Sequence, residues 1–269
     1  AVGAISTHNI TKVVAFPFKS KQYVYLFVEN KYIALLKSNS AGVSTLELAS
    51  DYSLYQSQGL LCAKASTMKF GDKSTPIMFV SMLDQGLSCL FFVFFVKQNL
   101  LVKLSKFGLK VNDVAYDADK GHIYLVAGNK VVFGSFTAES AGMVRLKIVK
   151  DVRFDSNISG IDYRGGKLLV SDVANSMHVY AAHYTGSFKL EYLFGDYKGR
   201  NIVKSGFLSD THFYGVSRQN KLFLFNTASE KFEKYSKKSD CVVTKLSTIP
   251  LCEDAILPEY TVEFKSPIL

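Results

Sequence analysis

Residues 158–172 read ISGIDYRGGKLLVSD and contain two short apolar runs on either side of a glycine pair. Both runs are rich in Ile, Leu, Val and Tyr, which favour strands over helices. Gly165 and Gly166 can adopt the positive φ angles that a tight hairpin requires. The segment therefore predicts two antiparallel strands, over residues 158–163 and 167–171, joined by a hairpin.

Two further apolar runs, 176–184 and 188–194, complete a unit of four strands, and units of the same kind repeat along the chain. No window shows the 3.6-residue periodicity of an amphipathic helix. The units begin at Ile10, Leu60, Val111, Ile158, Ile202 and Val242, so their starts lie 50, 51, 47, 44 and 40 residues apart. This is the spacing of four-stranded propeller blades. We therefore predict an all-β fold, a single incomplete β-propeller over residues 1–269 with five complete blades and part of a sixth.

The sixth unit contains only two strand-like segments, 241–246 and 260–264. An open ring leaves blade edges with unpaired backbone groups, which promote aggregation. We therefore expect strands from elsewhere, either more of the same chain or another subunit, to close the ring.

The charge of the chain is +9, but its 32 cations comprise 27 lysines and only five arginines. Bidentate contacts to guanine and stacking on bases favour arginine, whereas scattered lysines usually solvate a surface. The composition therefore favours a solvated basic surface, and weak attraction to RNA or to an acidic partner remains the alternative.

The four cysteines form no Cys-x-x-Cys pair, which argues against a structural zinc site. The longest apolar stretch, residues 87–96, is about half as long as the ~20 residues of a membrane-spanning helix.

Three motifs come close to known functional patterns. Residues 160–168 resemble a phosphate-binding loop, but a second glycine precedes the lysine and Leu168 follows it. Residues 117–121 space two carboxylates like a calcium loop, but too few oxygen ligands follow. Ser171 and Asp172 could join a histidine, yet no Gly-x-Ser-x-Gly elbow is present and neighbouring strand residues point to opposite faces. We predict hairpins at the first two positions, a structural pair at the third, and no catalytic, metal or cofactor site.

The run from Leu90 to Val96 is almost entirely aromatic and aliphatic. It fits either an exposed docking patch or a strand that is buried on both faces between adjacent blades. The position of the run as a third strand favours the buried interpretation.

Four stretches resemble the last propeller of a family of large nuclear scaffolds: residues 158–163, 167–179, 206–217 and 220–225. The family comprises the three-propeller subunit of splicing factor 3b, the large subunit of the cleavage and polyadenylation specificity factor, and the damaged-DNA-binding adaptor of cullin-4 ubiquitin ligases. The similarity extends over about residues 111–250. Residues 170–173 and 242–250 are most similar to the splicing member.

This resemblance implies a non-enzymatic scaffold of a nuclear pre-mRNA processing complex. Its partners would be other protein subunits, namely a helical-repeat subunit and a small subunit of the branch-site recognition complex. A ubiquitin-ligase adaptor and a 3′-end-processing scaffold remain alternatives within the fold. A propeller enzyme would need histidines and carboxylates that converge in the central channel, and we find no such cluster in the sequence.

Basic and aromatic residues on the predicted turns are the best candidates for partner contact, because loops on rigid β scaffolds often carry binding. The alternative is a solvated rim. The candidates are Tyr163, Arg164, Lys198, Arg200 and Arg218.

Overall fold

The chain forms a β-propeller of five four-stranded antiparallel blades in the computed structural model. The structure describes residues 9–38, 44–172, 177–185, 187–196, 202–217, 219, 222–226 and 231–233. In every blade the strands lie in chain order, each hydrogen-bonded to the next. No helix in this described part of the chain is long and apolar enough to cross a membrane.

The strands have the following bounds. Blade 1 contains β1 (Ile10–Phe18), β2 (Lys21–Val28), β3 (Tyr32–Ser38) and β4 (Ser44–Asp51). Blade 2 contains β5 (Gly59–Phe70), β6 (Lys73–Leu83), β7 (Cys89–Phe95) and β8 (Leu100–Phe107). Blade 3 contains β9 (Asp113–Asp117), β10 (His122–Ala127), β11 (Lys130–Ser140) and β12 (Met143–Arg153). Blade 4 contains β13 (Ile158–Arg164), β14 (Lys167–Asp172), β15 (Met177–Tyr184) and β16 (Phe188–Asp196). Blade 5 contains β17 (Ile202–Phe207), β18 (His212–Ser217), β19 (Leu222–Asn226) and β20 (Lys231–Glu233).

These five blades confirm the predicted all-β propeller and its division into repeating units. The predicted sixth unit, 241–246 with 260–264, lies outside the described residues. The expectation that other strands close the ring therefore stays a prediction.

The core consists of layers between neighbouring blades, and β7 shows why an unbroken apolar strand is needed there. All seven residues of β7 are buried. Phe92 and Phe94 pack in the layer toward blade 1, while Phe91 and Phe95 pack in the layer toward blade 3. Because successive strand residues point to opposite faces, only an unbroken apolar run can fill both layers. The buried interpretation of residues 90–96 is confirmed, and the docking-patch alternative is wrong.

The first strand of each blade lies nearest the propeller axis, and in four blades it begins with the same irregularity in its pairing with the second strand. A register shift inserts one extra residue near the start of the strand in four blades, at Thr11, Leu61, Ser159 and Val203. Such a β-bulge bends the strand and resets which side chains face the neighbouring sheet. The residues that follow the bulge therefore occupy equivalent positions around the axis.

Two ends of the propeller carry different loops. The hairpin face carries the turns between first and second strands, and Gly165 and Gly166 form one of these with φ angles of 55° and 80°. The connection face carries the turns between second and third strands and the links between blades. The hairpin predicted at 164–166 is confirmed, so residues 160–168 are a strand and a turn rather than a phosphate-binding loop.

Candidate functional site

Ionisable side chains from the inner strands of all five blades meet around the axis. In four blades the residue directly after the bulge lies at the axis, namely Lys12, Cys62, Gly160 and Lys204. Asp113 occupies the equivalent position in blade 3. Two residues further on, blade 2 contributes Lys64 and blade 4 contributes Asp162. We call Lys12, Lys64, Asp113, Asp162 and Lys204 the axial cluster.

Lys64 is the centre of this cluster. Its Nζ donates a hydrogen bond to the carbonyl oxygen of Ile161 at 2.7 Å. The same atom lies 3.6 Å from Asp113 Oδ1 and 3.8 Å from Asp162 Oδ1. Lys64 therefore extends from blade 2 past blade 3 and binds blade 4.

The two aspartates join neighbouring blades through backbone groups. Asp113 Oδ2 accepts the N–H of Ile161 at 2.9 Å, which connects blade 3 to blade 4. Asp162 Oδ2 accepts the N–H of Phe207 at 2.7 Å, which connects blade 4 to blade 5. Hydrogen bonds to charged groups are stronger than neutral ones, so these carboxylates hold the blades at a fixed spacing.

The electrostatic environment keeps the central pair charged. Burial alone would raise the pKa of Asp113, but Lys64, Lys204 and two backbone N–H groups lower it below its usual range. Burial would likewise lower the pKa of Lys64, but Asp113 and Asp162 raise it. A buried ion pair with satisfied hydrogen bonds is the expected arrangement for charges removed from water.

A cavity of about 290 Å³ lies on the hairpin side of the axial cluster. Every inner strand contributes to its wall, for example Phe16, Ser66, Tyr116, Asp162 and Phe207. Seven of its sixteen lining residues are aromatic, and polar or charged side chains also line it, namely Lys64, Ser66, Thr67, Asp162 and Arg164.

Two of the predicted contact residues, Tyr163 and Arg164, line this cavity. The Tyr163 hydroxyl donates to Asp117 Oδ2 at 2.6 Å, and burial followed by this carboxylate raises the pKa of Tyr163. Arg164 Nε donates to Asp210 Oδ1 at 2.7 Å. Both side chains thus bind the adjacent blades at the rim of the cavity, and their role in partner contact stays a prediction.

The remaining predicted contact residues, Lys198, Arg200 and Arg218, lie outside the described residues. The structure therefore brings together two of the five candidates on blade 4.

The serine, aspartate and histidine considered in the sequence do not converge. Ser171 Oγ is buried and hydrogen-bonds Ser205 of blade 5. Asp172 Oδ2 lies 3.3 Å from His178 Nε2. Strand alternation places the serine and the aspartate on opposite faces of the sheet, and their structural role stays a prediction.

The calcium-like motif is also a turn. Asp117 Oδ1 accepts the N–H groups of Asp119 at 3.0 Å and Lys120 at 3.2 Å. Within the residues that the structure describes, no group of three or more His, Cys, Asp or Glu side chains could hold a metal ion.

The sequence analysis considered only a cluster of histidines and carboxylates in the channel and did not foresee the axial cluster. The structure places three lysines and two aspartates there, although no histidine is among them. A signal was present in the sequence: Lys12, Asp113 and Lys204 each lie two residues after a predicted blade start, and Lys64 and Asp162 lie four residues after one. Their equivalent places in the repeat were visible in the sequence, but only the structure shows that they meet at the axis.

Three exposed leucines lie along blade 2 on the connection face. Leu54 is 91% exposed, Leu87 is 63% exposed and Leu109 is 49% exposed. The Gln58 N–H donates to the Leu83 carbonyl at 2.8 Å, so the segment that carries Leu54 adjoins the turn that carries Leu87. We call Leu54 and Leu87 the leucine patch.

No protein-family model matches this chain, and no curated protein matches it significantly.

Proposed function

We propose that this chain is a non-enzymatic scaffold that uses its propeller to hold other proteins, and that it works in a nuclear pre-mRNA processing complex. The propeller fold is consistent with a protein-interaction scaffold. The observation that carries the proposal is Leu54, a large apolar side chain held almost fully in solvent by a rigid support.

The support for Leu54 is a one-turn 3-10 helix, Ser53–Tyr55. Tyr52 is 1% exposed and anchors the start of the turn. The Tyr55 ring packs edge-on against Phe92 with 4.8 Å between ring centroids. Two inward-facing aromatics therefore leave Leu54 as the outward-facing side chain.

Leu87 is presented in a similarly constrained way. Its φ angle is 58°, which is uncommon for a leucine. Its turn is closed by the Asp84 carboxylate, which accepts the Ser88 N–H at 2.9 Å and pairs with Lys106 Nζ at 2.8 Å. An exposed leucine in a strained but well-braced turn favours a binding role over a random surface position.

The axial cluster supports a structural role over a catalytic one. Asp113 and Asp162 each accept two backbone N–H groups and lie beside Lys64. A general acid or base must face the substrate in order to exchange a proton with it. The carboxylates of Asp113 and Asp162 instead accept backbone N–H groups of the neighbouring blades.

The nuclear assignment and the partners rest on the sequence resemblance alone. It supports a splicing-factor-3b-type assembly, with a helical-repeat subunit and a small subunit as partners. Contact with RNA would be weak or indirect, because the basic surface is rich in lysine and poor in arginine.

The test is affinity purification of the tagged full chain from nuclear extract, followed by mass spectrometry. We expect splicing proteins to copurify. Polyadenylation proteins or a cullin would instead support the corresponding alternative scaffold, and recovery of no stable protein partner would contradict the scaffold proposal.

The leucine patch is tested with the double variant Leu54→Ser and Leu87→Ser. We expect at least a tenfold loss of partner recovery, because replacing the two leucines should together remove about 1.4 kcal/mol or more of binding free energy. Leu48→Ser is the matched control, since Leu48 is 60% exposed on the outer strand of blade 1. Equal recovery by the double variant and the control would show that partners bind elsewhere.

A further inference from the structure

The cavity on the hairpin side of the axial cluster lies where the first strands of the blades end. Its wall includes Phe18, Arg164 and Phe207, which are the last residues of β1, β13 and β17 before the turns. The mouth of the cavity therefore faces the hairpin turns. We propose that this face binds an acidic peptide segment of a partner protein, which places one aromatic side chain in the cavity. The inference rests on the proposed scaffold function and adds a second surface to it, on the face opposite the leucine patch.

The size and the lining of the cavity define the side chain that it accepts. Its volume of about 290 Å³ is at the lower limit of ligand pockets, which span ~300–1,000 Å³, so it has room for one bulky side chain. Aromatic residues from all five blades line it, and aromatic rings attract one another beyond the area that they bury. The charged groups of the wall already have partners, because Lys64 lies beside Asp113 and Asp162, and Arg164 binds Asp210. An aromatic group therefore fits the interior better than a charged one.

Two lysines from different blades meet at the mouth of the cavity. Lys19 Nζ lies 5.9 Å and Lys97 Nζ lies 5.5 Å from the centroid of the Phe18 ring. Lys19 follows β1 in blade 1, whereas Lys97 belongs to the turn between β7 and β8 in blade 2. Both ammonium groups are within the ~6 Å range of a cation–π contact with the same ring. Within the described residues neither forms an ion pair, so a carboxylate at this point would be attracted by both.

The turns around the mouth are also basic. The carboxylates of Asp117, Asp119 and Asp210 are each engaged by a neighbouring side chain, and Asp72 is the exception among the described hairpins. Arg164 is the one arginine beside these hairpins, and lysines match carboxylates without the planar fork that favours phosphate or guanine. Acidic side chains are therefore favoured over a nucleic acid. The further basic residues beside these hairpins that form no ion pair within the described ranges are Lys21, Lys73, Lys120 and Lys167.

The experiment measures the binding of a fluorescein-labelled peptide to the full chain by fluorescence anisotropy at low ionic strength. The probe carries three glutamates on each side of one phenylalanine. We expect saturable binding that weakens at least tenfold when alanine replaces the phenylalanine, because the apolar contact in the cavity is lost. We expect a loss at least as large when lysines replace the glutamates. A single-stranded oligouridine of the same length should bind more weakly than the probe.

Variants of the protein locate the site. Lys97→Glu should weaken probe binding at least tenfold, whereas Lys31→Glu should not change it, because Lys31 is exposed in the turn between β2 and β3 on the other face. Ser66→Phe places a ring in the cavity wall and should abolish the preference for the phenylalanine peptide, provided that circular dichroism shows a folded chain. If that variant does not fold, the two peptides on the unmodified chain still test the cavity.

The double variant Leu54→Ser and Leu87→Ser should bind the probe as tightly as the unmodified chain. The leucine patch and the cavity can therefore fail separately. Equal affinity for the phenylalanine and alanine peptides, tighter binding of oligouridine than of the probe, or a Lys97→Glu variant that binds like Lys31→Glu would overturn the proposal.

Discussion

Replacing Lys64 by methionine removes the positive charge from the centre of the propeller while keeping the length of the side chain. The change deletes the 2.7 Å hydrogen bond to the Ile161 carbonyl and leaves Asp113 and Asp162 without their shared counter-ion. Removing one partner of a buried ion pair typically costs about 3–5 kcal/mol, because the other charge stays buried. For a chain of this size that loss corresponds to a fall of roughly 6–20 °C in Tm.

The assay is urea and thermal unfolding followed by circular dichroism. Lys69→Met is the matched control, since Lys69 forms an ion pair with Asp119 in which the side chains are 46% and 78% exposed. Exposed pairs contribute about 0–1 kcal/mol, so the control should unfold close to the unmodified chain. A Lys64→Met variant that unfolds with the control would refute the view that Lys64 holds the blades together.

The pH dependence provides an independent check of the same argument. In the unmodified chain the pKa of Asp113 is lowered, so its contribution to stability is present above the usual carboxyl pKa of 3.8 and is lost as the pH falls below it. Without Lys64, burial dominates and the pKa of Asp113 should rise instead. Acidification from pH 7 toward pH 5 should therefore reduce the difference in stability between Lys64→Met and the unmodified chain. A difference that stays constant or grows on acidification would contradict this explanation.

Three further changes test other parts of the fold by the same unfolding assay or by thiol labelling. Phe92→Ala should cost about 3–5 kcal/mol, because the ring is fully buried between blades; a loss below about 1 kcal/mol would contradict that packing. Tyr163→Phe should cost about 1.5 kcal/mol, because it removes a 2.6 Å hydrogen bond to the charged Asp117; unchanged stability would show that the bond contributes nothing. Cys62 and Cys89 are buried, and burial raises the pKa of both thiols. In a variant with serine at the other two cysteine positions, a thiol reagent at pH 8 should therefore label Cys62 and Cys89 only after unfolding. Rapid labelling of the native chain would contradict their burial.

The sequence predicted the blades well because strands and hairpins are determined locally. Gly165 and Gly166 supply the positive φ angles of one turn, and Gly121 and Gly128 do so in the preceding blade. The aromatic run of β7 is apolar on both faces, which predicts burial without knowledge of the partner sheets. In each case the decisive physical property lies within a few neighbouring residues.

The axial cluster could not be predicted in the same way, because its members are far apart in the chain. Lys64 and Ile161 are 97 residues apart, and only closure of the blades around an axis brings them to hydrogen-bonding distance. An isolated lysine in a first strand is equally compatible with an exposed position. Tyr163 and Arg164 were predicted on a turn by the same local signals, but their bonds to Asp117 and Asp210 depend on the neighbouring blades.

The bulge near the start of four of the five first strands explains how one repeat can provide both stability and a charged channel. Without a bulge, the side chains would alternate between the two faces of the sheet from the first residue of the strand. The extra residue of the bulge shifts the side chains that follow it by one position. This shift turns Asp162 of blade 4 toward the Phe207 N–H of blade 5. In blade 3, Asp113 lies two positions earlier in the repeat, level with Gly160 of blade 4, and accepts the Ile161 N–H of blade 4. In blades 1 and 5 the same position is occupied by lysine, which cannot accept a backbone N–H. The repeat therefore builds backbone hydrogen bonds between blades where the axial residue is acidic, and lacks them where it is lysine.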